Sequence, residues 1–78
     1  MVRCNLIVDG RAEADMTLPT IPNRGDVLSY VDPKLPVYLV QRVEMVDGYE
    51  DPNLHVQKFA NKLDAMRHID GFGALAHR

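Results

Sequence analysis

The sequence predicts a mainly β or α+β protein: a strongly bent, barrel-like antiparallel sheet of about five strands followed by a helix. Three observations carry this. Val2, Cys4, Leu6 and Val8 alternate with Arg3, Asn5, Ile7 and Asp9, and past Gly10 Ala12, Ala14, Met16 and Leu18 alternate with Arg11, Glu13, Asp15 and Thr17. That is the period of two of a hairpin with one buried face. Turns rich in proline and glycine then punctuate the chain up to Asn53. Only after Phe59 does the apolar spacing lengthen to that of a helix.

The hairpin poses a question of parity. A two-residue Asp9-Gly10 turn sets Val8 opposite Arg11 and Leu6 opposite Glu13, and directly opposed residues share a face. The apolar set of one strand then meets the charged set of the other, since a one-residue slip exchanges the faces. Either the loop is odd, spanning Asp9 to Arg11 with Val8 opposite Ala12, or a bulge follows the turn. The three-residue loop is the preferred reading.

Residues 19–25, Pro-Thr-Ile-Pro-Asn-Arg-Gly, contain two prolines, which cannot serve a central ladder. They form a crossing loop. Gly25 is expected at positive φ just before the next strand, a conformation glycine adopts cheaply. Asp26 opens that strand, which runs through Val31. Asp32 to Pro36 is a second proline-bounded turn. The longest β-like run is Val37 to Val46. Val40 and Val43 cannot share a face in a regular strand, so a bulge is expected near Gln41-Arg42, a device that bends the strands of small barrels.

Residues 54–69 admit two readings. Leu54, Val56 and Lys58 alternate with His55, Gln57 and Phe59, as in a strand paired with the 37–46 run. Asp51 before Pro52 also fits an N-cap with proline at the first helical position, and one long helix aligns Val56, Phe59, Leu63 and Met66. The preferred reading is a strand to about Phe59, then a helix over about 60–70 ending at Gly71. Phe59, Leu63 and Met66 form the stripe with which that helix covers an open end or face of the sheet. Residues 1–70 make one domain and 71–78 a tail.

A chain of 78 residues has room for one core. A single Cys excludes an internal disulfide, and neither a CxxC nor a Cys/His set at zinc spacing occurs. No run approaches the roughly 18 apolar residues that a spanning helix needs. Met1 leads into a strand-like run without a basic stretch before an apolar one, so no signal peptide and a cytoplasmic location are expected. A net charge of −2 and a pI of about 5.8 weigh against a dedicated nucleic-acid binder, whose affinity comes from neutralising phosphates.

The segment Leu18-Pro19-Thr20-Ile21-Pro22-Asn23-Arg24-Gly25-Asp26-Val27-Leu28 resembles the proline loop, Gly-Asp pair and strand start of small SH3-like β-barrels of bacteria and their phages. Val37-Tyr38-Leu39-Val40-Gln41-Arg42-Val43-Glu44 is similar to the long bent strand that follows in those proteins. The resemblance spans about residues 1–59 and rests on structural motifs. It implies a binding or assembly role and no catalytic residues.

Arg24-Gly25-Asp26 is an RGD tripeptide that reads, without a secretion signal, as a turn glycine between surface charges. Glu44, Asp47, Glu50 and Asp51 crowd one turn. Carboxylates suit a hard cation, but the spacing is not that of an EF-hand loop, and a solvated acidic turn is expected. Cys4, His55, His68 and His77 are the only soft ligands, and a zinc site needs three or four converging. Cys4 faces inward, where burial raises its pKa rather than activating it as a nucleophile. No metal, cofactor or catalytic residue is expected. Tyr30, Tyr38 and Tyr49 with Arg42 form the candidate binding patch, because Tyr and Arg are enriched at hot spots. Packing of Tyr on a half-buried sheet is the competing reading.

The functional expectation is a small non-enzymatic protein-interaction module, an inhibitor or adaptor of a bacterium, phage or other mobile element. It implies a protein partner and no membrane. A homodimer is also expected, because the first hairpin lacks an inward charge and leaves its edge open. The alternative is a nucleic-acid-binding barrel using Arg3, Arg11, Arg24, Lys34 and Arg42.

Overall fold

The structure, a computed structural model, describes residues 1–69. In chain order these form β1 (Val2–Val8), β2 (Arg11–Leu18), β3 (Val27–Ser29), β4 (Val37–Glu44), β5 (Asn53–Phe59) and the helix α1 (Lys62–His68). The strands make one curled half-barrel sheet in the order β2-β1-β5-β4-β3. All neighbours are antiparallel except β1 and β5, which run parallel through Asn5–Ile7 and Asn53–His55. The sheet is therefore mixed, where the sequence suggested antiparallel pairing throughout. Each connection reverses the chain, so the first and fifth strands point the same way and must pair in parallel once they are neighbours.

The hairpin solves its parity with a bulge, not with the three-residue loop that the sequence favoured. Asp9 (φ 50) and Gly10 (φ 79) are both left-handed, the signature of a two-residue type I′ turn whose twist matches its strands. Val8 lies opposite Arg11 and Ile7 opposite Ala12, but Leu6 lies opposite Ala14. Glu13 is the extra residue. Past it, Ala14, Met16 and Leu18 pack on the side of Cys4 and Leu6.

The expected bulge in β4 is present. Val40 lies opposite Val56 and Arg42 opposite His55, which leaves Gln41 unpaired and returns Val43 to the inner face against Leu54. Gly25 has the expected positive φ, +92°. Its N–H donates to the Val40 carbonyl at 2.8 Å, and the Val40 N–H donates to the Asp26 carbonyl at 2.9 Å. The proline loop is thus stitched to β4 beside the bulge. β3 stops at Ser29, short of the expected Val31, which is fully exposed.

Cys4, Leu6, Leu28, Tyr38, Val40, Leu54 and Val56 are buried on the concave face. On the convex face Val37, Phe59 and Ala65 form a second buried cluster, flanked by Val27, Leu39 and Ile69. Asn61 caps α1, its Oδ1 accepting from the Asp64 N–H at 2.8 Å. The expected stripe of Phe59, Leu63 and Met66 is corrected: Ala65 is fully buried, whereas Leu63 is 60% exposed. In a helix of two turns the small residue lets the backbone approach the sheet, and close packing at Ala65 replaces a large apolar stripe.

The edge of β2 also differs from expectation. The Tyr38 hydroxyl donates to Glu13 Oε2 at 3.2 Å, and Lys58 Nζ donates to Glu13 Oε1 at 3.0 Å. The bulge thus turns Glu13 toward the concave mouth, and an inward charge and a bulge both protect an edge strand. The helix ends earlier than the predicted Gly71: its last residue is His68, and Ile69 caps it in an extended conformation, its N–H donating to the Ala65 carbonyl at 2.8 Å. The tail 71–78 lies outside the described residues. Among the described residues no helix is long and apolar enough to cross a membrane.

Candidate interaction surface at the β4–β5 turn

Residues 45–52, Met-Val-Asp-Gly-Tyr-Glu-Asp-Pro, join β4 to β5. Gly48 takes φ +86°, and the Tyr49 N–H closes a tight turn on the Val46 carbonyl at 3.1 Å. The turn holds Tyr49 outward, 75% exposed, with Met45 63% exposed. Its far end is fixed: Pro52 is fully buried, and its carbonyl accepts from the Asn5 N–H at 2.9 Å. Between turn and sheet lies an open groove of ≈ 470 Å³ lined by Asn5, Val46, Tyr49, Glu50, Asp51 and Asn53.

A ladder of polar side chains crosses three strands beside this groove. Asn5 Nδ2 donates to Asn53 Oδ1 at 3.1 Å, and Asn53 Nδ2 donates to Glu44 Oε1 at 3.2 Å. His55 Nε2 lies 3.0 Å from the same Glu44 oxygen. Hydrogen bonds from His55 and then Asn53 hold the Glu44 carboxyl below the usual carboxylate range. The ladder fixes the two amides in the groove. The site therefore offers amide donors and acceptors, an apolar wall from Val46, an aromatic face from Tyr49 and the carboxylates of Glu50 and Asp51.

The four residues expected to form a binding patch lie in three places. Tyr38 is buried in the concave core and Tyr30 packs half-buried against it. The Tyr38 hydroxyl is pushed up to about 12, by burial first, then by the charge of Glu13. Arg42 lies on the outer face, where it lines a separate groove with Arg24 and Gly25. Tyr49 alone belongs to the β4–β5 groove. Asn5, Val46 and Asn53 escaped sequence reasoning. The two asparagines stand among other polar residues on the outward positions of β1 and β5, and they meet only through the long-range β1–β5 pairing.

The five cations of the nucleic-acid alternative are dispersed across the sheet. Arg3 and Arg11 belong to the β1–β2 hairpin, Lys34 lies in the turn before β4, and Arg24 and Arg42 line one groove on the other side of the strand order. Arg3 Nε donates to Asp15 at 3.0 Å. Among the described residues no three His, Cys, Asp or Glu side chains converge where a metal ion could be held. Cys4 is free and fully buried, and burial raises its thiol pKa. His68 stacks on Phe59, ring centroids 5.8 Å apart, and His77 lies outside the described residues. No family model matches the chain, and neither a curated protein nor a solved structure matches it.

Proposed function

We propose that this protein is a non-enzymatic protein-interaction module, an inhibitor or adaptor, that engages its partner through the β4–β5 turn. One observation carries the reading: Tyr49 is held 75% exposed on a turn pinned at Pro52, beside a groove whose amides are already hydrogen-bonded in place. A large, rigid aromatic loses little conformational entropy on binding and makes an efficient anchor. Exposed Met45 extends the apolar area. The half-barrel is compatible with an SH3-like small barrel, and membership of that group is part of this proposal. So is a cytoplasmic setting, which suits a free thiol. A two-fold dimer is proposed through the Ala14–Leu18 half of β2 or through Ile7, because Glu13 protects the other half of that edge. The nucleic-acid reading has less support, since its cations are dispersed over the hairpin, the β3–β4 turn and the Arg24–Arg42 groove, Arg3 is paired with Asp15 and the net charge is −2.

The test is affinity capture from a lysate of the host, with mass spectrometry and the Tyr49→Ala and Met45→Ala variants. The expected result is a partner retained by the wild type and lost from Tyr49→Ala, with the melting temperature unchanged because an exposed side chain carries little stability. Equal capture by both variants overturns the assignment of the surface. Light scattering across a hundredfold dilution tests the dimer, and a monomer mass at the highest concentration removes it.

A further inference from the structure

We propose that the β4–β5 groove takes an arginine-bearing, basic segment of the partner protein, an inference that rests on the interaction reading above. The observations are charge complementarity and shape. The turn 45–52 carries Asp47, Glu50 and Asp51 and no Lys or Arg. Arg3 donates to Asp15, so its guanidinium is engaged away from the carboxylates of the turn. These carboxylates do not converge on a point that a metal ion could occupy. They are spread beside an aromatic face and an apolar wall, which suits a long side chain with a charged head.

A guanidinium matches each part of that surface. Its aliphatic stem lies along Val46, its plane stacks on the exposed ring of Tyr49, and its edge donates to Asp51 or Glu50. Lysine supplies the charge but neither the planar stack nor the paired donors. A groove of ≈ 470 Å³ is in the range of pockets that hold one or two side chains, not a folded domain. The amides of Asn5 and Asn53 are placed to meet the backbone of an extended segment.

The experiment titrates the isotope-labelled full chain with the capped peptide Gly-Ser-Arg-Leu-Arg-Ser-Gly and with its counterparts carrying Lys or Glu in place of Arg. Saturable amide shifts confined to 46–53 and their sheet neighbours are expected with the Arg peptide. Binding should weaken several-fold as salt rises from about 0.05 to 0.5 M. It should fall at least about fivefold in Tyr49→Ala and in Asp51→Asn, whose remaining spectra report that the fold is intact. Absence of shifts at millimolar peptide, or equal binding of the Glu peptide, overturns the inference. A photo-cross-linking residue in place of Tyr49, used in host lysate and mapped on the partner, separates the two claims. A cross-link to an arginine-bearing segment supports both. One to an acidic or neutral segment overturns the basic partner and keeps the interaction module. Neither cross-link nor shifts overturns both.

Discussion

The two faces of the sheet are held together by different means. The concave core draws buried residues from β1, β3, β4 and β5, each supplied by strand alternation and covered by the curl of the sheet itself. The convex cluster has one buried residue each from β4, β5 and α1 and exists only because the helix docks. A helix of seven residues is too short to be stable alone. The concave side therefore specifies the fold, while the convex side is an addition that the strands can outlive.

The strongest way to break this contrast is Leu6→Ala. Leu6 is fully buried on the concave face and Ile7, its neighbour, only half-buried on the other. Truncating Leu6 should cost roughly 2–5 kcal/mol, and Ile7→Ala much less. Chemical denaturation of both variants decides it, and equal losses would mean that the two faces share the load.

Ala65→Glu sharpens the contrast from the other side. Ala65 is fully buried, and an unpaired carboxylate there is incompatible with docking. The expected cost is about 2 kcal/mol, taken as undocking of α1. Amide shifts of residues 62–68 should lose helical character while those of β1, β4 and β5 persist. Unfolding of the whole chain in one step would show instead that both faces form a single cooperative unit.

The same contrast explains what the sequence revealed. The concave core was legible because one apolar residue in two is its only requirement. The convex cluster was not, although Val37-Tyr38-Leu39-Val40 held the signal: an unbroken apolar run marks a strand end buried on both faces. The bulge at Gln41 breaks the alternation of the same strand, and so masks this run. Ala65 carries no signal of size beside Leu63, because what buries it is the closeness of approach of helix and sheet. In the candidate site, Tyr49 was visible from its turn. Asn5 and Asn53 were not, because only a parallel pairing between the first and last strands brings them together.

Gly25→Ala tests the joint between the regions, where the proline loop meets β4 beside its bulge. No atom lies within 4 Å of the added Cβ, so the whole cost is backbone strain at φ +92°. It should be about 1 kcal/mol, seen as a lower melting temperature. An unchanged or raised value would show that the loop relaxes without disturbing the hydrogen bond to Val40.

The smallest effect is expected at the concave mouth, where Glu13 joins edge strand β2 to Tyr38 and Lys58. The Glu13–Lys58 pair is more than a third exposed on both sides, so Glu13→Gln should cost less than about 1 kcal/mol. The clasp shows more clearly in the titration of Tyr38. Its pKa is raised from 10.0 to about 12, so the folded state favours the neutral phenol. That contribution to stability is fully present below pH 10 and is lost as pH rises through about 12. A late tyrosinate absorbance step near pH 12 is expected in the wild type and absent in Tyr38→Phe. In Glu13→Gln the step should move down yet stay above the ordinary value, because burial is the larger cause and the Glu13 charge the second. A step that does not move in Glu13→Gln would mean that the carboxylate leaves the mouth in solution, and that the curl alone holds β2 across the concave face.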